Sequence, residues 1–223
     1  MKTALIFGHT SGLGYQVAKR YLDAGYKVVG IARRKSDVVS ENLVNLTADL
    51  SQKDDVLRVI QEVKDNHGTF DAVIYCAGVL IAHDIDKLDY DQMEQTYRVN
   101  TFAPMTIESE LLDLIKQNRA DILNVSSSSV VDFYPKYSEY SSSKIALQKF
   151  TNDLQKAFKD TPSRVVHFCP SGFTSNIYNT MIGEKVDRDE SVQMKSEDLA
   201  DLIYYLLALP KKIEITDIYV NRK

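Results

Sequence analysis

From one end to the other, the chain alternates apolar runs of strand length with amphipathic stretches of helix length, and this pattern constrains its fold more than any other feature. Thr3–Phe7 and Lys27–Ala32 are short, apolar and flanked by glycine, so they read as buried parallel strands. Between them, Leu13, Val17, Ala18, Tyr21 and Leu22 form a helical stripe over Leu13–Ala24 that Gly25 closes. Leu43–Thr47 reads as the next strand, and Asp54–Val63 as a helix with Val56, Val59, Ile60 and Val63 inward. Strands over Asp71–Cys76, Asp121–Ser126 and Arg164–Cys169 then alternate with helices over Asp91–Lys116 and Ser138–Lys159. A helix over Glu197–Leu209, capped by Ser196 and stopped by Pro210, leads into a last strand at Ile215–Val220. Strict βαβ alternation predicts an α/β fold: a single doubly wound, Rossmann-type parallel sheet of about seven strands with helices on both faces. One domain over residues 1–223 suits the length.

Composition narrows the function to a small-molecule site. A hydrophobic share of 44% with 26% charged residues is that of a folded globular chain. The formal net charge of −4 is spread along the sequence, with no basic face for nucleic acid. Cys76 and Cys169 have no metal-ligand spacing, and the histidines at 9, 67, 83 and 167 form no zinc motif, so no metal is expected. The longest apolar runs, such as Leu202–Leu209, fall short of a membrane span, and no signal peptide is read at Met1–Phe7. A cytoplasmic protein with no membrane partner is the expectation.

The first chemistry-bearing motif follows the first strand directly: Gly8-His9-Thr10-Ser11-Gly12-Leu13-Gly14, opening the first helix. Gly8 permits a sharp turn, Gly12 lets backbone N–H groups approach a pyrophosphate, and Gly14 lets the helix pack tightly on the strand. Thr10, Ser11 and Leu13 complete this candidate phosphate loop, and the helix N-terminus adds positive dipole. The second motif is Tyr140-Ser141-Ser142-Ser143-Lys144, which puts a phenol and an ammonium at i and i+4 on one helix face. A phenol titrates near ~10, and an adjacent cation favours its phenolate, which suits proton transfer at neutral pH. Asn124-Val125-Ser126-Ser127 ends a strand thirteen residues before Tyr140, at the sheet edge where doubly wound folds bind ligands.

The GxxxGxG spacing, the Ser127–Tyr140–Lys144 set and Asn100 within Arg98-Val99-Asn100 together resemble the short-chain dehydrogenase/reductase family over essentially the whole chain. The resemblance implies an oxidoreductase moving hydride between a nicotinamide cofactor and a carbonyl or alcohol. Tyr140 would be the general acid/base, Ser127 would hydrogen-bond the substrate oxygen, and Lys144 would grip the nicotinamide ribose and lower the Tyr140 pKa. Asn100 would bend its helix and hold a water that reaches the lysine. Phe7 stands where the family often has threonine, and Tyr75 and Cys76 replace two asparagines before Ala77-Gly78, so only the close backbone approach at Ala77 and Gly78 carries over.

Strand two ends Ala32-Arg33-Arg34-Lys35, with Ala32 at the family's NAD-selecting acidic position. Without an acid to repel it, a 2′-phosphate would meet the Arg33 guanidinium, with Arg34 beside it, so NADP is expected over NAD. Asp49 and Leu50 resemble the pair that meets the adenine, although Asp49 also suits a turn before the next helix. After strand six, Cys169-Pro170-Ser171-Gly172-Phe173-Thr174-Ser175 carries an extra serine before the glycine. The family's carboxamide-orienting threonine is then Thr174 or Ser175, with Thr174 preferred and Pro170, Gly172 and the Phe173 backbone alongside. Residues 176–195 form a short polar insert, a candidate substrate lid. Val79, Leu80, Phe133, Tyr134, Tyr137, Tyr178 and Met181 are candidates for an apolar substrate pocket. A non-catalytic dinucleotide sensor on the same fold is the alternative, but such a protein would be expected to lack the tyrosine or the lysine. By analogy with the family, a homodimer or homotetramer is expected.

Overall fold

The computed structural model describes residues 1–175, 177, 182–183 and 193–223. Its main sheet is parallel throughout. The strands are β1 (Thr3–Phe7), β2 (Lys27–Ala32), β3 (Leu43–Thr47), β4 (Ala72–Tyr75), β6 (Asp121–Val125), β7 (Val165–Pro170) and β9 (Asp217–Val220). Their order across the sheet is β3-β2-β1-β4-β6-β7-β9. The chain winds outward from β1 in one direction and then from β4 in the other, so the order reverses between β1 and β4. Loops leave that point on opposite faces and open a crevice at the carboxyl edge.

Alternation along the strands divides the core in two. Leu5, Phe7, Val29, Ile31, Val73 and Tyr75 point to one face, under α2 (Lys53–Asn66), α4 (Ala103–Glu110), α5 (Leu112–Asn118) and α6 (Ser138–Phe158). Ala4, Ile6, Val28 and Ile74 point to the other, under α1 (Gly12–Asp23) and α7 (Ser196–Ala208). Because both faces are covered, the central strands read as continuous apolar runs. Buried Arg164 fastens α7 to the sheet: it pairs with Asp121 at 2.7 Å and donates to the carbonyls of Leu206, Leu207 and Leu209. Among the described residues, no helix is long and apolar enough to cross a membrane.

Two expectations need correction. The single helix expected over Asp91–Lys116 is α3 (Tyr90–Tyr97), a π-helical turn (Arg98–Phe102), α4 and α5. Pro104 has no N–H to return to the carbonyl of Asn100, and the Tyr75 hydroxyl donates to the Val99 carbonyl at 2.6 Å, so the turn widens there. Ser196 does not cap α7; it is that helix's first residue, and its own N–H donates to the Thr174 hydroxyl at 3.3 Å. Beyond the main sheet, the connection over 176–195 contains β8 (Ile182–Gly183), which pairs in parallel with β5 (Ile81–Ala82) after β4. Most of the candidate lid, with Tyr178 and Met181, lies outside the described residues.

Candidate active site

The crevice at the carboxyl edge is a cleft of about 920 Å³ that runs from the β2 end past the glycine loop to α6. Its first wall is the loop between β1 and α1. Gly8 has φ +90° and Gly12 φ +53°, both left-handed positions that favour glycine. A Cβ on Gly8 would lie 2.7 Å from the Ala77 nitrogen, and one on Gly14 would run into the Gly8 carbonyl oxygen. The loop, the first turn of α1 and the β4 end are therefore pressed together backbone to backbone. Ser11, at the N-cap of α1, makes no side-chain capping bond, and the first turn holds no acid. The first amides of α1 thus remain as donors beside the cleft, a cradle for phosphate.

At the β2 end, the cleft is lined by Arg33, Arg34, Asp49 and Leu50, with Ala32 buried beneath. The Asp49 carboxylate accepts from the Ser51 N–H at 2.9 Å and from its hydroxyl at 2.8 Å, so this residue makes the turn into α2 as well as facing the cleft. Ala77, Gly78, Pro170, Gly172 and Phe173 line the middle of the cleft, together with Thr10, Ser11 and Leu13.

At the far end, Ser127, Tyr140 and Lys144 meet the same cleft. Lys144 is 3% exposed, donates to the Val125 carbonyl at 3.0 Å, and has its Nζ 5.8 Å from the centre of the Tyr140 ring. Burial pulls its pKa down to about 8, opposed by the nearby Cys76 and Cys169 thiols. The Ser127 oxygen accepts from the Ser129 N–H at 3.1 Å, which leaves its own proton to donate. Asn100 is fully buried in the π-turn; its amide holds the Val79 backbone at 2.9 Å on both sides and donates to Ser143 at 3.0 Å. A Cβ built on Gly78 would sit 3.6 Å from the Asn100 side-chain oxygen and 3.8 Å from Lys144 Nζ. The two groups therefore flank one point.

Of the candidate apolar-pocket residues, Val79, Leu80, Tyr134 and Tyr137 line the cleft, whereas Phe133 is 97% exposed and points away. Thr174 is not among the lining residues; its hydroxyl serves the entry to α7, and Ser175 faces the cleft instead. Several lining or bracing groups were not anticipated. Cys76 and Arg222 line the cleft, and His9 is fully buried with its Nε2 2.7 Å from the Asn45 side-chain oxygen. A histidine inside the glycine motif was a signal for the last; Arg222, two residues beyond β9, carried none.

Comparison with known proteins bears on the family and the fold. The short chain dehydrogenase family model matches residues 2–185. An uncharacterized oxidoreductase of Staphylococcus saprophyticus is 24% identical over 231 residues, covering 99% of this chain and 97% of the relative. An alcohol dehydrogenase of Thermococcus sibiricus, solved with 5-hydroxy-NADP, superposes with a TM-score of 0.87 at 21% identity, covering 99% of this chain and 96% of that one. A 3-ketoacyl-(acyl-carrier-protein) reductase of Brucella melitensis, solved with NADH, gives a TM-score of 0.87 at 22% identity, with coverage of 99% and 96%. With the family model matching well over half its length, the chain belongs to the short-chain dehydrogenase family.

Proposed function

We propose that this protein is an NADPH-dependent reductase of a carbonyl substrate, with Asn100, Ser127, Tyr140 and Lys144 as its catalytic set. The observation that carries the reading is that Ser127, Tyr140 and Lys144 line one end of a cleft whose other end presents Arg33 and Arg34. The residues suit a dinucleotide: Gly8 and Gly14 leave no room for a Cβ, and the α1 amides stand uncapped beside the cleft. Bound there, a nicotinamide would supply the hydride.

The chain's own groups then do the following. Ser127 donates its hydroxyl proton to the substrate carbonyl oxygen and polarises it. Tyr140 passes its phenolic proton to the oxygen as negative charge builds there. The Lys144 charge favours the phenolate left behind. The Asn100 side-chain amide is engaged with Val79 and Ser143, so its backbone carbonyl, to which Pro104 offers no N–H, would accept from the water through which Lys144 returns a proton to Tyr140. Val79, Leu80, Tyr134 and Tyr137 exclude water on the substrate side.

The test is a titration with NADPH and NADH, followed by a panel of ketones and aldehydes read by nicotinamide absorbance. Tyr140→Phe should bind NADPH almost as the wild type does and lose on the order of 10²- to 10⁴-fold in turnover. Turnover retained in that variant overturns the assignment.

A further inference from the structure

We infer that His9 and Asn45 are positioning residues for the cofactor's 2′-phosphate, tying the glycine loop to the turn that carries Arg33 and Arg34. The inference rests on the NADP reading above and names residues that take no part in it.

His9 sits between Gly8 and Thr10 yet is fully buried, although loop residues beside a ligand cleft usually face outward. Its ring lies directly on Gly30 of β2, where any Cβ would fall among the ring atoms. Gly30 is in register with Asn45 of β3, so the ring crosses β2 to reach the next strand. There, His9 Nε2 lies 2.7 Å from the Asn45 side-chain oxygen. The backbone N–H of Ser36 donates to the same oxygen at 2.9 Å.

The proton positions follow from this. A backbone N–H can only donate, so the shared atom is the Asn45 oxygen and not its nitrogen. That oxygen has two lone pairs, and Ser36 and His9 take one each. His9 must therefore carry its proton on Nε2. Burial holds the His9 pKa below the usual histidine range, against the hydrogen bonding of the ring to the Asn45 side chain and the Ile31 backbone, and so favours the neutral ring.

The mechanical consequence lies in the turn. At its start, the Ala32 carbonyl is fixed by the Ala48 N–H at 2.9 Å; at its end, Ser36 is fixed by Asn45. Arg33, Arg34 and Lys35 hang between these anchors and are exposed. One end of the brace is thus the loop that would cradle the pyrophosphate, and the other is the turn that would meet the 2′-phosphate. Both groups belong to one ligand at a fixed separation. Holding the two segments in one frame removes an ordering cost that a 2′-phosphate would otherwise have to meet.

Binding of NADPH, NADH, 2′,5′-ADP and ADP by calorimetry tests the inference on the wild type, Asn45→Ala, His9→Leu and His9→Gln. Asn45→Ala and His9→Leu should weaken NADPH and 2′,5′-ADP by about tenfold, the scale of a charge-assisted contact, and NADH and ADP by less than about twofold. His9→Gln, whose amide nitrogen reaches the same point and can donate, should keep the wild-type preference. Asn45 is only half-buried, so if the cavity left by His9→Leu unfolds the protein, Asn45→Ala decides. Equal weakening of all four ligands, or an unchanged preference, overturns the inference alone. A wild type that binds NADPH and NADH equally overturns the NADP reading and the inference with it.

Discussion

Lys144 donates from Nζ to the carbonyl oxygen of Val125 across 3.0 Å, and Val125 is the last residue of β6 before Ser126 and Ser127. The cation is thereby held beneath the strand end that carries the candidate substrate-binding serine. A neutral carbonyl compensates a buried charge poorly, which is why burial pulls the lysine from 10.5 to about 8. The folded chain then binds this proton less tightly than the unfolded chain does. The resulting stability term is present above 10.5 and is lost as pH falls through 8. Lys144→Met should therefore be more stable than wild type near pH 7, by up to about 3 kcal/mol, while losing activity. The advantage should shrink toward zero near pH 10.5. Denaturant midpoints across that range check it; a difference independent of pH would show that the charge does not set the cost.

The proposed preference for NADPH rests on Arg33. A guanidinium on a phosphate forms paired, charge-assisted hydrogen bonds that a ribose hydroxyl cannot match. Arg33→Ala should raise the Kd for NADPH by roughly 10- to 100-fold, about 1.5–3 kcal/mol, and leave that for NADH nearly unchanged. Equal losses for the two cofactors would refute a 2′-phosphate role.

Gly14 tests the cradle. Its missing Cβ is where the Gly8 carbonyl oxygen sits, and Cys76 Cβ is 3.0 Å away. Neither neighbour is the end of a flexible side chain, so Gly14→Ala must lift α1 off β1. The expected result is a stability loss of about 1–3 kcal/mol together with at least tenfold weaker binding of either cofactor. Unaltered binding would mean that the α1 amides are not the phosphate donors.

The sheet was legible because its strands bury both faces and its helices bury one stripe, two periods that do not resemble each other. The π-turn at Arg98–Phe102 was not legible from periodicity, since its apolar spacing continues that of the flanking helices; the bend expected at Asn100 came from the family resemblance, with Pro104 as the local mark. The β5–β8 pair escaped for the opposite reason: strands of two residues have no period. Within the site, residues marked by glycine spacing or by the Tyr140–Lys144 interval could be read along the chain. His9–Asn45 and Thr174–Ser196 could not, because each joins residues that only folding brings together. Ser196 reads as a cap in the sequence, yet it is the first residue of α7 and the oxygen at that N-terminus comes from 22 residues upstream.

Glu108 gives the last prediction. It is 1% exposed on α4, beneath β6 and α6, where the Asn124 amide donates to one of its oxygens at 3.3 Å. The other oxygen, and the Asn124 side-chain oxygen, have no partner among the described residues. Burial, opposed only in part by the Asn124 hydrogen bond, pushes the carboxyl from 4.5 up to about 8. The folded state therefore holds this proton more tightly than the unfolded state, so the associated stability is complete below 4.5 and is lost as pH rises through 8. Glutamine has the same shape and no charge to lose. Glu108→Gln should match the wild type at pH 4.5 and exceed it above pH 8, by about 5 kcal/mol at most. Melting temperatures of the two proteins from pH 4.5 to 9 should diverge in that direction. Parallel curves would mean that the wild-type carboxyl finds a compensating partner when it ionises, through water or a shift of Asn124.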